Sequence, residues 1–205
     1  MDVLLLAAGG LAREVLAADL PGIEIVGLLD DDPARAGTEI GGRPVLGRID
    51  LARDRPERLL VCAGRGAARR GIVERIGAHD DRFVTAVDPS VRIPAGCTVG
   101  AGSILLAGTV LTADVSIGRH VVAMPGVVLT HDDVIADYAT LAAGVRLGGG
   151  VQVGESAYLG MSVAVRQNLR IGSDALIGMG AVVLGDVPPG ETWVGVPAGK
   201  MGDRS

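Results

Sequence analysis

The sequence predicts a small α/β domain followed by a long parallel β-helix, and three observations support this order. The first 86 residues alternate short apolar runs with helical runs, a pattern typical of a parallel α/β sheet. From Val87 to Val183, aliphatic residues recur at every sixth position. Glycine accounts for 32 residues and aromatic residues for only 2% of the chain, which suits a core of stacked aliphatic side chains. We therefore expect a Rossmann-like α/β domain over residues 1–86 and an all-β parallel β-helix over residues 87–205.

Two columns of residues describe the predicted β-helix. The first column is expected to point inward, and its aliphatic members are Val87, Ile93, Val99, Leu105, Leu111, Ile117, Ala123, Leu129, Ile135, Leu141, Leu147, Val153, Leu159, Val165, Ile171, Ile177 and Val183. The second column follows four residues later and is small or branched except at Asp133 and Leu169. A six-residue period is typical of parallel β-helices. Three hexads close one coil, so residues eighteen apart become neighbours about 4.8 Å apart. Residues 87–187 should form nearly six coils without a long excursion loop.

The α/β domain is predicted to contain three strands, two helices and a hairpin. We expect strands over 3–7, 23–29 and 59–63, helices over 11–20 and 67–76, and a hairpin over 39–46. In such a sheet, ligands bind outside the carboxyl ends of the strands. The candidate substrate-binding residues at those ends are Gly9, Gly10, Asp30, Asp31 and Gly64.

Two interpretations of the glycine pair remain open. Gly9 and Gly10 could let a phosphate approach backbone N–H groups at a helix start, while Asp30 could accept from a ribose or a base. A tight strand-to-helix turn explains the glycines equally well, because the full G-x-G-x-x-G motif is absent.

An α/β domain ahead of an uninterrupted hexad repeat resembles the hexapeptide-repeat acyltransferases, in particular the sialic-acid and bacillosamine-type sugar O- and N-acetyltransferases. The closing segment 193–201 is similar to the G-x-P-A-K ending of that family, although Gly199 displaces Lys200 by one place. The resemblance implies a left-handed helix, a homotrimer, a nucleotide-sugar bound by residues 1–86, and acetyl-CoA bound along the β-helix between subunits. Family members often carry a sugar-contacting histidine where this chain has Leu11. The cofactor contacts expected along the β-helix are Thr140, Gly149, Met161, Gly178 and Lys200.

The chain has three histidines, and the eighteen-residue spacing separates them. His79 is expected at the surface of the first domain, and His120, the fourth residue of its hexad, is expected to face solvent. His131 shares a column with small residues, including Gly149, which leaves an open groove beside it. An exposed histidine on a turn is the plain alternative. The following Asp132 and the run of three glycines one coil later favour a catalytic role.

Acetyl transfer to a hydroxyl or amine needs a base near neutral pKa, and histidine meets that need. Asp132 could fix the tautomer of the His131 imidazole, as the acid does in a catalytic triad. The backbone N–H of Gly149 is the candidate donor to the oxyanion formed from the thioester. No enzyme nucleophile is required, because the acceptor attacks the thioester directly.

Asp133 lies in an inward column that is otherwise small or apolar. A buried carboxylate without partners is costly, so this side chain should be hydrogen-bonded or turned outward. It could support the turn that carries His131, or it could only bond neighbouring backbone amides. We favour the second interpretation.

Composition bears on the ligand class, the cellular compartment and the state of the cysteines. A net charge of −5 with scattered basic residues argues against nucleic acid. No stretch approaches about 20 uninterrupted apolar residues, and no basic leader precedes the first strand, so we expect no membrane span, no signal peptide and a cytoplasmic protein. Cys62 and Cys97 are expected to be buried thiols rather than a disulfide pair.

Two alternatives to an acyltransferase differ in the residues that they require. A carbonic-anhydrase-type metal site needs three converging histidines, and the β-helix offers only His120 and His131, on different faces, so no metal is expected. A non-enzymatic trimeric scaffold or sugar-nucleotide-binding protein stays open, and it differs from the enzyme in predicting no CoA binding.

Overall fold

A computed structural model describes residues 1–202, and its N-terminal part is a five-stranded sheet with the order β3-β4-β2-β1-β5. The strands are β1 (Asp2–Leu6), β2 (Glu24–Leu29), β3 (Glu39–Ile40), β4 (Arg43–Gly47) and β5 (Arg58–Val61). Only β3 runs antiparallel, as one arm of the predicted hairpin. The α-helices are α1 (Gly10–Ala17) and α2 (Gly66–Ile76), and short 3-10 turns span Pro33–Arg35, Ile49–Arg53 and Asp80–Arg82. The predicted parallel α/β character is therefore present, and the finer Rossmann-like assignment stays a prediction.

The rest of the described chain forms three sheets that wrap one core, and their strands run parallel except for the last one, Gly199–Lys200. We name these sheets as faces. The docked face, which lies against the α/β domain, contains β6 (Ala86–Val87), β8 (Ile104–Leu105), β11 (Val122–Ala123), β14 (Thr140–Leu141), β17 (Tyr158–Leu159), β20 (Leu176–Ile177), β22 (Thr192–Val194) and β23 (Gly199–Lys200). The β12 face contains β9 (Val110–Leu111), β12 (Val128–Leu129), β15 (Arg146–Leu147), β18 (Ala164–Val165) and β21 (Val182–Val183). The β13 face contains β7 (Thr98–Val99), β10 (Ser116–Ile117), β13 (Val134–Ile135), β16 (Gln152–Val153) and β19 (Arg170–Ile171).

Up to β21, strands within each face pair in a register of eighteen residues, as the period predicts, whereas β20 and β22 pair sixteen residues apart. Ser116 pairs with Val134, and Val122 pairs with Thr140. Successive strands fall on successive faces without a long excursion loop between β7 and β21. The sheets fit a β-helix of three hexads per coil.

The aliphatic column fills the core of the β-helix, with one exception at its first coil. From Leu105 onward every member is buried. Ile93 is 41% exposed and lies outside any strand, so the expectation that it points into the core is wrong. No earlier coil covers it, and the following Pro94 has no N–H to donate to a strand ladder.

The far end of the β-helix is closed by its C-terminal segment. Trp193 is partly buried and packs against the end of the core, as expected of a cap. Its Nε1 donates to Glu191 Oε2 at 2.8 Å, and Lys200 Nζ donates to the other oxygen of that carboxylate at 2.7 Å. Lys200 therefore carries an ion pair with Glu191, and its expected contact with the cofactor stays a prediction.

The α/β domain and the docked face share one apolar cluster. Leu11 and Val15 of α1 are buried with Ile104 and Val122 of the docked face. Both cysteines are free thiols. Cys62 is buried, which raises the pKa of its thiol, whereas Cys97 is only partly buried near the open end of the β-helix, against expectation.

His120 is buried, and the expectation that it faces solvent is wrong. Only 1% of its surface is exposed, because the α/β domain covers the corner on which it lies. Its ring stacks on Tyr138 with centroids 5.2 Å apart and meets Phe83 edge-on at 4.7 Å. Neither ring nitrogen has a hydrogen-bond partner. Burial, and then the nearby Arg69 guanidinium, lower the pKa of His120 to about 4.

We expect His120 to make the fold acid-sensitive. An unfolded histidine titrates near pH 6.5, so between about pH 6.5 and 4 the unfolded chain binds a proton that the folded protein does not. The contribution of His120 to the free energy of unfolding should therefore fall across that range, by about 3 kcal/mol in all, and level off below it. Urea unfolding at several pH values, compared with His120→Asn, measures this term. Asparagine tolerates the left-handed backbone at this position (φ 53°) and does not titrate.

The exposed His79 supplies the control, since His79→Asn should keep the wild-type pH dependence. Parallel pH curves for wild type and His120→Asn would contradict a neutral, buried His120.

Candidate active site

His131 and Asp132 lie on the turn 130–133, at the edge where the β12 face meets the β13 face. His131 Nδ1 lies 2.8 Å from Asp132 Oδ2, and the two side chains are 68% and 66% exposed. Asp132 adopts a left-handed backbone conformation (φ 64°), which aspartate tolerates better than most residues. This geometry leaves Nε2 of the imidazole open to a ligand.

Gly149 lies directly beside the His131 ring, as the eighteen-residue map predicts. A Cβ atom at Gly149 would overlap the imidazole, so only glycine fits next to the ring in this position. Gly150 N donates to His131 O at 2.8 Å and holds the two coils in register. The N–H of Gly149 itself has no acceptor among residues 1–202, so it is free to bind a ligand oxygen.

Asp133 ties this turn to the following coil. The side chain is fully buried, and its two oxygens accept from Thr130 N and Val151 N, each at 2.8 Å. Burial raises the pKa of Asp133 to about 6, against these two donors, which lower it. In the same column Ser103 Oγ accepts from Val121 N at 3.0 Å. Asp133 therefore bonds backbone amides, as favoured from the sequence, and in doing so also joins the turn of His131 to the coil of Gly149.

A second candidate site lies between the α/β domain and the docked face. A cleft of about 640 Å³ is bounded by the start of α1, the loop before α2, and strands of the docked face. It is lined by the predicted residues Gly10, Leu11, Gly64 and Thr140, and by Glu14, Arg65, Gly66, Ala67, Val122, Met124, Ser156, Tyr158, Asp174, Ala175 and Leu176. Leu11 contributes a small apolar surface to the cleft, and most of its side chain is buried in the core.

A smaller cavity of about 440 Å³ lies on the other side of the glycine pair. Its lining includes Gly9, Gly10, Arg13 and Arg35. Helix α1 starts between the two cavities with no acidic residue in its first turn and no side-chain cap. Its first N–H groups are therefore available to an anion.

Asp30 and Asp31 are already engaged within the protein. Asp30 Oδ2 accepts from Ala8 N at 2.6 Å and from Arg35 Nη1 at 3.2 Å, and Asp30 Oδ1 accepts from Asp32 N at 2.8 Å. Asp31 accepts from Arg75 Nη2 at 2.7 Å. These bonds shape the loop after β2, so both carboxylates have structural partners in addition to the ligand roles predicted for them.

The residues predicted to bind acetyl-CoA do not converge within one chain. Gly149 lies beside His131, whereas Met161 and Gly178 lie on the edge between the docked face and the β12 face. Thr140 is buried at the cleft and donates to Gly64 O at 3.1 Å. The β-helix has three faces, and His131 lies on the edge between the β12 face and the β13 face. That edge is opposite the docked face. The cleft and His131 are thus separated by the width of the β-helix.

Some residues in or behind the cleft were not predicted from the sequence. Arg69, which is fully buried, looks like a solvent-facing cation of helix α2 when only the sequence is known. Tyr158 and Leu176 could have been placed with Thr140, since they follow it at one and two steps of eighteen residues. No group of three or more metal-ligating side chains forms a metal site in residues 1–202. Over the same range, no helix has the length and apolar content needed to cross a membrane.

No family model and no curated protein sequence matches the chain, but solved structures do. The GDP-perosamine N-acetyltransferase of Caulobacter crescentus, in a variant with one histidine replaced by alanine and with CoA and GDP-perosamine bound, is 30% identical. The match covers 99% of this chain and 98% of that one, with a TM-score of 0.89. The chain belongs to the hexapeptide-repeat, left-handed β-helix family of sugar acetyltransferases. The predicted family and the predicted acyltransferase activity are confirmed.

Two further solved structures match along nearly their whole length. The acetyltransferase domain of PglB from Neisseria gonorrhoeae, solved with acetyl coenzyme A, is 25% identical, with 98% of each chain covered and a TM-score of 0.85. WeeI from Acinetobacter baumannii is 27% identical, with 98% of this chain and 100% of that chain covered and a TM-score of 0.84.

Proposed function

We propose that this enzyme transfers the acetyl group of acetyl-CoA to an amino or hydroxyl group of a nucleotide-linked sugar, with His131 as the general base. The observation that carries the assignment is the His131–Asp132 pair with Gly149 against the ring. The Caulobacter crescentus enzyme supports it, since two of its structures with CoA and GDP-perosamine are variants of a single histidine.

The chemistry follows from three groups. Asp132 accepts from Nδ1–H and so leaves Nε2 of His131 unprotonated and able to take the proton of the attacking amine or hydroxyl. The free N–H of Gly149 donates to the oxyanion that develops on the thioester carbonyl. When the tetrahedral intermediate collapses, the protonated imidazole returns the proton to the departing CoA thiolate.

The acceptor is proposed to bind the Rossmann-like domain, residues 1–86, at the start of α1. Gly9 and Gly10 lie between the two cavities, where uncapped N–H groups suit the diphosphate. The nucleotide would occupy the smaller cavity, and the sugar would extend past Leu11 into the cleft at Gly64. Both substrates are cytoplasmic metabolites, so the proposal places the enzyme in the cytoplasm.

A homotrimer would bring the separated parts together. Met161 is half-exposed on one edge of the β12 face, and Gly149 lies on the other edge of that face. One chain cannot place both edges on a single ligand, whereas neighbouring copies can set one edge against the other. Four of the five outward positions of the β12 face also favour association, because Val110, Val128, Ala164 and Val182 are apolar and only Arg146 is charged. Residues 87–205 would thus bind acetyl-CoA between subunits.

The test is a screen of acetyl-CoA consumption against GDP-, UDP- and dTDP-linked sugars that carry either an amino or a hydroxyl group at the accepting carbon. Turnover with one nucleotide series is the expected result, together with a trimer by light scattering. Absence of turnover with every sugar, in a protein that also fails to bind acetyl-CoA, would contradict the proposal.

Replacing Asp132 by asparagine should lower kcat by about 10-fold, less than loss of the base itself. Asparagine fits the left-handed backbone at this position, so the turn should be retained. It does not hold the imidazole in one tautomer as the carboxylate does, but the pair is exposed and screened by water, which limits the effect. Steady-state kinetics with wild type and Asp114→Asn as control measures it. Asp114 has the same left-handed conformation one coil earlier. An unchanged kcat would show that the pair has no catalytic importance.

A further inference from the structure

Arg69 is the largest fully buried side chain of the described residues, and its charge has no carboxylate partner in the part of the chain that the structure covers. Its guanidinium instead donates to six uncharged oxygens, five of them backbone carbonyls. Burial lowers the pKa of Arg69 to about 10, so the group stays protonated at neutral pH.

The six bonds connect the two walls of the cleft. On the α/β side, Nη1 donates to Ala63 O at 2.9 Å and to Gly64 O at 3.0 Å. On the β-helix side, Nη2 donates to Tyr138 O at 2.6 Å and to Thr140 Oγ1 at 3.0 Å. The Nη2–Ala139 O bond (3.0 Å) and the Nε–His120 O bond (2.8 Å) extend the contact along the β-helix.

Two further contacts make this junction tight. Thr140 Oγ1 donates back to Gly64 O at 3.1 Å, which closes a ring of hydrogen bonds around the guanidinium. At Gly66, the first residue of α2, a Cβ atom would overlap the carbonyl oxygen of Tyr138. The loop that precedes α2 is therefore held against the docked face at atomic contact.

Stability alone does not explain an arginine here. Burying an uncompensated cation costs several kcal/mol, and a well-packed apolar side chain often serves a core position as well or better. The planar guanidinium adds geometric specificity, because its N–H donors hold several acceptors at fixed angles. Two acceptors of Arg69, Gly64 of the loop and Thr140 of strand β14, line the cleft on either side.

We propose that Arg69 is a positioning residue for the acceptor site, which sets the loop 63–66 against Thr140 so that the cleft matches the sugar of the bound nucleotide-sugar. This inference rests on the proposed binding of the acceptor in that cleft. Arg69 touches no reacting atom, and it acts through Gly64 and Thr140.

The test compares Arg69→Lys with wild type. Lysine keeps the charge but cannot hold both walls with a planar fork. We expect the Kd for nucleotide-sugar, measured by calorimetry with GDP-, UDP- and dTDP-sugars as probes, to rise at least about 10-fold. The KM for the acceptor should rise in parallel, while kcat at saturating acceptor stays within about 3-fold and the KM for acetyl-CoA is unchanged. A merely structural role would lower the active fraction, and with it kcat, but leave KM unchanged.

Two other variants keep the test decisive. Arg70→Lys, on the next residue of α2, alters an exposed ion pair with Glu155 (2.8 Å) and should keep wild-type affinity. Thr140→Val removes only the hydroxyl between Arg69 and Gly64 and should weaken acceptor binding even if Arg69→Lys does not fold.

The outcomes distinguish failure of the Arg69 inference from failure of the proposed acceptor site. Nucleotide-sugar binding that persists unchanged in Arg69→Lys, or in Thr140→Val if Arg69→Lys does not fold, would overturn the inference and leave the proposed function intact. A wild-type protein that binds none of the three nucleotide series would overturn the acceptor site and the inference together.

Discussion

Replacement of His131 by alanine is expected to lower kcat by about 10²–10⁴-fold, the range typical of losing a general base, with little change in acetyl-CoA binding. The imidazole is exposed beside Gly149, so an acetyl-thioester can approach the ring from solvent. Removing it leaves no other imidazole on that edge of the β-helix, since His120 is sealed under the α/β domain. Single-turnover kinetics at saturating acetyl-CoA, together with calorimetric titration of CoA, separates the chemical step from binding.

The control is His79→Ala, since His79 is exposed on the α/β domain. It should turn over at the wild-type rate. A His131→Ala enzyme with unchanged kcat would rule out this residue as the base. Because both ring nitrogens of His120 are buried, a substrate-assisted route would then be the explanation to pursue.

Most of the β-helix could be predicted from the sequence because the burial of a residue follows from its position in the hexad. A residue in the aliphatic column is covered by the coils before and after it, so the repeat alone determines burial from Leu105 to Val183. Ile93 fails for the same reason, since it lacks a preceding coil. Strand pairing eighteen residues apart also placed Gly149 beside His131, so that half of the candidate site was accessible from sequence.

The other half depends on how the α/β domain sits on the β-helix, which the repeat does not describe. His120 has the sequence position of an outward residue, yet Phe83 and the α/β domain cover it. Arg69 likewise becomes buried only because α2 docks against Tyr138 and Thr140. Contacts of this kind join residues about 50 to 70 positions apart with no periodic relation.

The carboxylates at the strand ends show a third limit of prediction from the sequence. Asp30 and Asp31 lie where an α/β sheet presents ligand-binding residues, and the sequence supports that position. Their partners, Arg35 and Arg75, are ordinary surface-type residues that approach only in the folded loop. Spacing therefore located the site correctly at the strand ends but did not reveal which side chains were already hydrogen-bonded.

Replacement of Gly149 by alanine is expected to lower kcat by about 100-fold while leaving the fold intact. The added methyl group would overlap the imidazole of His131, and this exposed ring can swing away at little cost to stability. A base displaced by about 1 Å or more loses its alignment with the reacting proton, which is commonly worth about two orders of magnitude. Gly149→Val, with a larger side chain, should also weaken acetyl-CoA binding by filling the groove.

Gly185 provides the matched control, because it lies in the same column two coils later and has open space around its Cα. Gly185→Ala should retain wild-type kcat and thermal stability. The double variant Gly149→Ala/His131→Ala should be no slower than His131→Ala alone, since the glycine acts through the ring that is already missing. A further loss in the double variant would show instead that the added methyl group disturbs the site independently of the ring, since alanine keeps the backbone N–H proposed to donate to the oxyanion. Unchanged kcat in Gly149→Ala would mean that the imidazole does not occupy its position beside Gly149 during catalysis.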